Sequence, residues 1–490
     1  MPASLTFATA ALIVLPLLAI LILNIVNKQV GQKIALNVAL VVTVIQMIAV
    51  LICGSLLVTG GKGSIDFSVF WDMNANLSAS FFTVDFFSLV VLFSIGMVAF
   101  ISAMVAKRGV NGKELNFTNL LMVILLGMNG IAMVGDFFSL YVFLEITGIC
   151  SFVMIALYHS KEGLEGAFKY LLMSCVATAF LLISMAFLFM QVGSLRFTDL
   201  TIALSGWATG EGDLFVTIAF ICFIAGIAIK TGLMPFHSWL PDAYQSAPAA
   251  VSVLLGGIVS KVCGVYIIIR VLSSFFENIP EVGIAVGLLA IISICFGAIA
   301  AAAQNDFKRI LAYSSISQIG YIALGIAAGG PIGFIGAMLH FFNHATFKTT
   351  LFVDSAILEE SVGSTDIEQM GGLEKQLPVA NVTTILSLLS TSGIPPLAGF
   401  WSKALIIIAV WQAGFHFTAF LAILASVFTL VYFLRLQRKV FFGPAEEHLA
   451  EVKESRGTLA FSAIALSVVT IGVGVLFPLI LRFLQAQGLL

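Results

Sequence analysis

The sequence predicts an all-α protein that crosses a membrane many times. Of its 490 residues, 60% are hydrophobic and only 10% are charged, and the mean hydropathy is +1.10. A soluble globular protein has about 25% charged residues. Apolar runs of about 20 residues, the length that a helix needs to cross a bilayer, recur along the chain. Two of these runs are interrupted by glycine and proline and also carry a lysine, a costly arrangement in lipid that points to ion movement.

Fourteen apolar runs are predicted to be transmembrane helices. The first begins near Leu5, has no basic residue before it and is longer than a signal-peptide core of about 7–15 residues, so we expect it to be retained. The seventh and twelfth runs are expected to be pairs of half-helices joined by an unwound segment, because Pro235 and the pair Pro395 and Pro396 interrupt them. The predicted helices span residues 4–26, 34–58, 84–106, 115–135, 137–158, 166–192, 213–240, 248–271, 283–303, 309–329, 333–357, 379–410, 417–441 and 458–485.

The two interrupted helices indicate an internal repeat. Broken helices at corresponding places in two halves are typical of transporters built from inverted repeats, with the ion site near the membrane midplane. We therefore predict two inverted five-helix repeats, formed by helices 4–8 and 9–13. The predicted divisions are an N-terminal three-helix segment (1–110), a first repeat (111–272), a second repeat (273–441) and a C-terminal loop with helix 14 (442–490).

Basic residues in the predicted loops indicate the orientation, since Lys and Arg concentrate in cytoplasmic loops. Loops after odd-numbered helices hold fifteen of the 23 basic residues, among them Arg456. The opposite side holds only Lys62, Arg196, Arg270 and Arg482. This asymmetry predicts that the odd-numbered loops lie in the cytoplasm and both termini lie on the outer side.

Four lysines and one glutamate lie inside predicted spans and are candidates for a proton relay. The lysines are Lys230, Lys261, Lys348 and Lys403. Glu145 has no basic neighbour one helical turn away, so it must be protonated or paired with a charge from another helix, and we nominate Lys230 as that partner. The alternatives are a protonated glutamic acid that hydrogen-bonds between helices, and lysines that extend to the membrane interface.

His340, His344 and Lys348 recur at i, i+4 and i+8, so all three share one face of a predicted helix. Histidine titrates near neutral pH, which suits it to connect acidic and basic members of a relay. Two histidines at this spacing also suit a metal. No third ligand at metal spacing and no HExxH glutamate accompany them, so a proton path is favoured over zinc and no metal is predicted. A purely structural histidine pair is the third interpretation.

His237 and Asp242 lie where the broken seventh helix reaches a surface, and either form the mouth of a path or end a helix in a capped turn. Asp85 and Asp136 begin spans, where the helix dipole favours negative charge, and they receive no role. The six cysteines fall in apolar runs without CxxC spacing, and the chain has no GxGxxG or P-loop pattern. We therefore predict no cofactor in this chain, no direct use of NADH or ATP and no nucleic-acid partner.

Five separated stretches together resemble the antiporter-like membrane subunit family. They are 135–145 (GDFFSLYVFLE), 165–171 (EGAFKYL), 230–242 (KTGLMPFHSWLPD), 340–348 (HFFNHATFK) and 393–403 (GIPPLAGFWSK). That family includes the D-type subunit of Mrp Na⁺/H⁺ antiporters and the proton-pumping membrane subunits of respiratory complex I and of membrane-bound hydrogenases. The resemblance covers essentially all fourteen predicted helices.

The resemblance implies roles for individual residues. It places Glu145 and Lys230 at the family's ion pair, Lys261 in its helix 8 relay and Lys403 at its terminal group, with the helix 11 histidines on its central polar axis. Some complex I members carry glutamate at the position of Lys403. With lysine at this position, the chain resembles the D-type Mrp subunit and hydrogenase members more closely. The implied mechanism is an electrostatic relay in which a proton enters toward Lys230, passes Lys261 and helix 11, and leaves from Lys403.

Three function classes follow. The leading class is a proton-translocating subunit of a larger complex. That complex is either redox-driven, which the hydrogenase-like stretch 166–170 (GAFKY) favours, or an Mrp-type Na⁺/H⁺ antiporter. Its partners would be other membrane subunits, together with hydrophilic iron–sulfur subunits in the redox-driven case. The second class is a self-sufficient secondary transporter, and the third is a non-pumping scaffold whose interior lysines are replaceable. Carriage of Na⁺ beside H⁺, and the direction of coupling, are left open.

Overall fold

The computed structural model describes residues 3–60, 64–67, 82–205, 214–275, 280–444, 449–454 and 457–486. These residues form long helices and one small antiparallel pair of strands, β1 (Ser64–Phe67) and β2 (Phe82–Asp85). The helices are α1 (Ala3–Ile25), α2 (Lys28–Gly60), α3 (Phe86–Gly109), α4 (Glu114–Met133), α5 (Phe137–Ile155), α6 (Lys161–Val192), α7 (Phe197–Ser205), α8 (Leu214–Thr231), α9 (Trp239–Ser246), α10 (Ala249–Leu254), α11 (Ile267–Phe275), α12 (Pro280–Ala302), α13 (Phe307–Ala327), α14 (Gly330–Val362), α15 (Pro378–Ser392), α16 (Ala398–Gln412), α17 (His416–Val440) and α18 (Thr458–Ala486).

The predicted all-α, multi-pass fold is confirmed. Each of the fourteen predicted spans coincides with one helix or one interrupted helix, and eleven helices of the described residues are long and apolar enough to cross a membrane. The predicted loop residues Lys62 and Arg456 lie outside the described residues. Three short elements were not predicted, the strands β1 and β2 and the helix α7. They are too short for hydropathy to single them out.

The seventh and twelfth spans are broken, as their prolines predict. Helix α8 ends at Thr231 and α9 begins at Trp239, while α15 ends at Ser392 and α16 begins at Ala398. Each first half-helix is followed by a glycine with positive φ, Gly232 at 74° and Gly393 at 84°. This left-handed conformation, which glycine adopts without a Cβ penalty, ends a helix and turns the chain away. Each break also contains a cis peptide bond before proline.

The eighth span changes its helical geometry around its lysine. Between α10 and α11 the backbone winds as π-helix over Leu255–Val259 and Lys261–Tyr266. The π-helix is rare, and its single turns inside α-helices occur frequently at functional sites. Every residue of this span from Ala250 to Ile269 is buried, whereas α6 and α17 each expose large apolar side chains along one face.

The described chain divides into two compact units. The first unit comprises Met1–Lys230 and Ile258–Asn278, and the second comprises Thr231–Gly257 and Ile279–Leu490. The break in the seventh span therefore coincides with a change of unit. The inverted five-helix repeats predicted from the sequence remain a prediction.

A close approach in the second unit explains the glycine in the first turn of α16. A Cβ built on Gly399 would lie 1.9 Å from the backbone oxygen of Ser390 in α15, and a backbone carbonyl inside a helix has little room to move aside. The Gly399 amide also donates a hydrogen bond of 3.1 Å to Ser390 Oγ. Only glycine allows the two half-helices to pack this closely.

We expect Gly399→Ala to lower the stability of the purified protein by about 1–3 kcal/mol or more, because overpacking against fixed backbone is costly. The matched control is Gly472→Ala in α18, where a new Cβ would meet nothing within 4 Å. The measurement is the thermal midpoint of each variant in detergent, followed by fluorescence-detected size-exclusion chromatography. Equal midpoints for the two variants would contradict the close contact between α15 and α16.

Candidate functional site

The first unit contains a buried ion pair between α5 and α8. Lys230 Nζ lies 2.9 Å from Glu145 Oε1, so the structure places together the two residues that the sequence analysis paired. The Lys230 side chain is 2% exposed and that of Glu145 is 23% exposed. Lys230 occupies the last turn of α8, where the helix dipole favours positive charge.

Two hydroxyls of α6 complete this pair. Lys230 Nζ donates to Ser174 Oγ at 2.7 Å, and Thr178 Oγ1 donates to Glu145 Oε1 at 2.7 Å. Ser174 and Thr178 are one helical turn apart, so α6 presents both hydroxyls on one face. If the ion pair separates, Lys230 still contacts Ser174 and Glu145 still contacts Thr178. Neither charged group then loses all of its hydrogen bonds.

Lys261 lies in the same unit and is fully buried within the second π-helical segment. Its helix also carries Tyr266, whose hydroxyl donates to the Ala132 carbonyl at 2.7 Å, and Arg270. Arg270 forms a two-pronged ion pair with Asp85, with one N–O distance of 2.8 Å.

Asp85 and Asp136 both cap helices. The Asp85 side chain accepts from the Ser88 amide at 2.8 Å, and the Asp136 side chain accepts from the Ser139 amide at 2.7 Å. These contacts agree with the expectation that both aspartates begin spans where a helix dipole favours negative charge.

The second unit contains the residues predicted on helix 11, all on α14. His340 and His344 stack in parallel with ring centroids 6.2 Å apart, and Lys348 Nζ donates to the Leu311 carbonyl of α13 at 2.9 Å. All three side chains are fully buried. No group of three His, Cys, Asp or Glu side chains converges at metal-ligand distance in the part of the chain that the structure describes.

Lys403 lies on α16 beside the end of α15. Its Nζ donates to Ser426 Oγ at 3.2 Å and lies 4.4 Å from the centroid of the Tyr321 ring. Its side chain is buried. The neighbouring Ser402 is 2.8 Å from His340 Nδ1, so adjacent residues of α16 connect the terminal lysine with the histidines of α14.

One face of α13 runs between the two lysines of this unit. The face contains Leu311, Gln318 and Tyr321, at positions i, i+7 and i+10. Lys348 contacts the Leu311 carbonyl at one end, and Lys403 contacts the Tyr321 ring at the other. Gln318 is fully buried, and neither its amide nitrogen nor its oxygen has a hydrogen-bond partner among the described residues. Sequence analysis missed this residue, because a single glutamine in an apolar run carries no pattern.

Two further ion pairs of the second unit were also missed. Lys308, counted as a loop residue, is buried and lies 2.6 Å from Glu359 of α14. Asp242 pairs with Arg309 at 2.7 Å, and its assignment to the mouth of a path stays a prediction. His237 packs its ring against Phe296, with centroids 4.8 Å apart.

The sequence matches a known family across its centre. Residues 134–429 match the family described as "NADH:quinone oxidoreductase/Mrp antiporter, TM". The chain belongs to this family. The matched region contains Glu145, Lys230, Lys261, Lys348 and Lys403, and so holds every lysine of the candidate relay. The resemblance inferred from five sequence stretches is therefore confirmed.

Relatives of this antiporter-like protein fall into respiratory and antiporter groups. It is 32% identical over 352 residues to NADH-quinone oxidoreductase subunit N of Desulforudis audaxviator, covering 71% of this chain and 69% of that protein. It is also 32% identical over 352 residues to the D-type subunit of the Na(+)/H(+) antiporter of Alkalihalophilus pseudofirmus, covering 72% and 71%.

Two solved complexes contain a chain with the same fold. The Mrp complex from Dietzia sp. has a TM-score of 0.86 and 25% identity, covering 97% of this chain and 96% of that one. The membrane-bound sulfane sulfur reductase, an archaeal respiratory membrane complex, has a TM-score of 0.87 and 26% identity, covering 98% and 96%. This antiporter-like chain is thus a multi-pass membrane protein of a kind that assembles with other membrane subunits.

Proposed function

We propose that this chain translocates protons as an antiporter-like membrane subunit of a redox-driven complex. The observation that carries the proposal is the Glu145–Lys230 ion pair. The Lys230 side chain is only 2% exposed, and its Nζ contacts both the Glu145 carboxylate and the Ser174 hydroxyl. Charges inside a membrane protein are costly and mark ion pathways. A lysine whose partner moves changes its proton affinity, so the pair can act as a switch.

The proposed relay uses the same residues that the sequence singled out. Lys230 and Lys261 serve in the first unit, and His340, His344, Lys348 and Lys403 serve in the second. In support, each of these lysines is buried, and Lys348 and Lys403 contact the two ends of one α13 face. The order from Lys230 to Lys403 follows the family resemblance. His237 is retained as a weaker candidate for the path mouth.

The energy source is proposed to be electron transfer in hydrophilic iron–sulfur subunits of the same complex. The relatives that support it include respiratory subunits named NADH-quinone oxidoreductase subunit N and F(420)H(2) dehydrogenase subunit N. The second candidate is the D-type subunit of an Mrp-type antiporter that exchanges Na⁺ for H⁺. The equal identity to the D-type subunit of a Na(+)/H(+) antiporter supports it. In both cases we place the chain in a prokaryotic cell (inner) membrane with both termini on the outer side.

Purification from native membranes tests these proposals. The chain is tagged at its C-terminus and extracted gently, and its companions are identified by mass spectrometry. Copurifying iron–sulfur subunits would support the redox-driven pump, and proton uptake on adding the electron donor is then the assay. If only small membrane proteins copurify, the redox proposal is wrong and Na⁺/H⁺ exchange is the next assay. Transport by the chain alone in liposomes would instead identify a self-sufficient transporter.

A further inference from the structure

A carboxylate that takes no part in the proposed relay is buried between α14 and α15. Asp354 is fully buried, and its two oxygens accept hydrogen bonds from adjacent threonines, Thr383 Oγ1 at 2.7 Å and Thr384 Oγ1 at 2.9 Å. In the part of the chain that the structure describes, no lysine, arginine or histidine forms an ion pair with Asp354. A buried charge without a counter-ion is expensive, so this residue needs an explanation.

The two threonines suit Asp354 with or without a proton. A hydroxyl is both donor and acceptor, and Thr383 Oγ1 lies 2.8 Å from the Val379 carbonyl as well as 2.7 Å from Asp354. When the carboxyl is ionised, both hydroxyls can donate to it. When it is protonated, Thr383 can turn its proton to Val379 and accept from Asp354. Neither state leaves a buried oxygen without a partner.

A row of hydroxyls continues from Asp354 along α15. We call it the α15 hydroxyl face; its members are all buried, and each has another member three or four residues away on the same side of the helix. They are Thr383, Thr384, Ser387, Ser390 and Thr391. Ser387 Oγ has no hydrogen-bond partner among the described residues. Side chains at this spacing are about 5–6 Å apart, so one water molecule between successive hydroxyls would complete a hydrogen-bonded chain.

The C-terminal end of α15 meets the terminal lysine through Ser426. Ser426 Oγ donates to the Ser392 carbonyl at the end of α15 at 2.7 Å and accepts from Lys403 Nζ at 3.2 Å. A Cβ built on Gly393 would lie 3.2 Å from Lys403 Cδ, so the lysine stem passes directly along the C-terminal cap of α15. Lys403 and Asp354 therefore lie at opposite ends of α15.

The near end reaches a half-buried acid. Glu454 accepts from the amides of Val379 and Ala380 in the first turn of α15, at 3.0 and 2.8 Å. This turn is the one from which Thr383 and Thr384 follow. Glu454 is partly exposed, whereas Asp354 is fully buried. The partly exposed Glu454 therefore lies at the start of α15, and the fully buried Asp354 contacts this helix further along.

We propose that Asp354 is a proton-carrying carboxyl that connects the Glu454 end of α15 with Lys403 along the α15 hydroxyl face. This inference rests on the proposed function. In the step, the proton leaves the Asp354 carboxyl, each hydroxyl and bridging water accepts one proton and passes another, and the neutral Lys403 amine becomes an ammonium. Asp354 is reprotonated from the Glu454 side.

Two substitutions of Asp354 distinguish this role from a purely structural one, in which the residue only joins α14 to α15 through hydrogen bonds. Asn keeps the size and the hydrogen bonds but carries no proton, whereas Glu keeps the proton and changes the size. We expect Asp354→Asn to lower transport by about tenfold or more and Asp354→Glu to restore part of it. A purely structural role predicts the reverse order: Asp354→Asn, which keeps the size and the hydrogen bonds, would transport better than Asp354→Glu. The control is Asp199→Asn, a carboxylate of the first unit that accepts from the Ser194 hydroxyl. Transport is measured with a pH-sensitive dye in everted vesicles containing the assembled complex, energised by its electron donor or by Na⁺.

Ser387→Ala provides a second test, in which a change in protein stability is not expected to affect the transport rate. It removes a hydroxyl that has no protein hydrogen bond among the described residues, so a purely structural α15 would transport at the wild-type rate. We expect transport to fall several-fold. The matched control is Ser467→Ala in α18, which removes another buried hydroxyl of the same kind. Wild-type rates for Ser387→Ala and Asp354→Asn would overturn the inference.

Lys230→Ala is measured in parallel, so that the inference and the proposed function fail separately. Loss of transport in Lys230→Ala together with wild-type rates in Asp354→Asn and Ser387→Ala would reject the Asp354 path alone. Wild-type transport in Lys230→Ala would reject the proposed function, and the Asp354 path with it.

Discussion

Replacing Lys230 with alanine is expected to reduce proton translocation to the background of membranes that lack the chain, in a complex that still assembles. Lys230 is the buried partner of Glu145, and no other cation pairs with that carboxylate among the described residues. After the substitution Glu145 keeps its hydrogen bond from Thr178 and is 23% exposed, so it can be neutralised by a proton. The fold therefore tolerates the change better than a fully buried pair would.

The matched control is Lys169→Ala. Lys169 forms an ion pair with Glu165 at 2.7 Å in the same unit, but both side chains are largely exposed. Exposed pairs contribute about 0–1 kcal/mol, so this variant should assemble and transport like the wild type. Assembly is followed on native gels and transport with a pH-sensitive dye in everted vesicles. A Lys230→Ala complex that assembles and transports normally would exclude the ion pair from the mechanism.

Replacing Lys403 with methionine is expected to stop translocation as well, at the opposite end of the relay. Methionine keeps an unbranched stem against the Gly393 cap and the Tyr321 ring while removing the group that carries the proton. The Lys403 contacts that are lost are one hydrogen bond to Ser426 and the attraction of the Tyr321 ring. We expect assembled complex without transport.

Two further variants make this result specific. Lys439→Met removes a lysine that pairs with Glu368 at the surface of the same unit, and should leave transport unchanged. Ser426→Ala removes only the hydroxyl that accepts from Lys403 and should slow transport without abolishing it. If Lys403→Met assembled and transported at the wild-type rate, Lys403 would be a packing residue and the relay would need another terminal group.

The two lysines share one electrostatic setting. Lys230 lies in the last turn of α8, and Lys403 Nζ is tied through Ser426 to the Ser392 carbonyl that ends α15. The last carbonyls of a helix carry a partial negative charge, which stabilises a nearby cation. Interrupting each span creates such a helix end inside the membrane, where a continuous helix would have none. The breaks thus provide both lysines with a partly compensated site.

Much of the architecture was readable from the sequence, because it depends on local properties. Bilayer thickness sets the length of each apolar run, so fourteen spans could be counted from hydropathy. Proline and glycine end helices wherever they occur, so the breaks after Thr231 and Ser392 follow from Pro235 and the Pro395–Pro396 pair. Helical periodicity alone places His340, His344 and Lys348 on one face of α14.

The sequence analysis nominated the Glu145–Lys230 pair, but the contacts that surround the candidate residues were decided by the tertiary structure. Glu145 and Lys230 are 85 residues apart, and the hydroxyls of Ser174 and Thr178 that join them come from a third helix. Sequence reasoning treated Lys308 as a loop residue and overlooked Gln318 and Asp354, whose surroundings are set by neighbouring helices. Helix packing determines which polar groups meet, because residues far apart in the sequence come together only where helices contact one another.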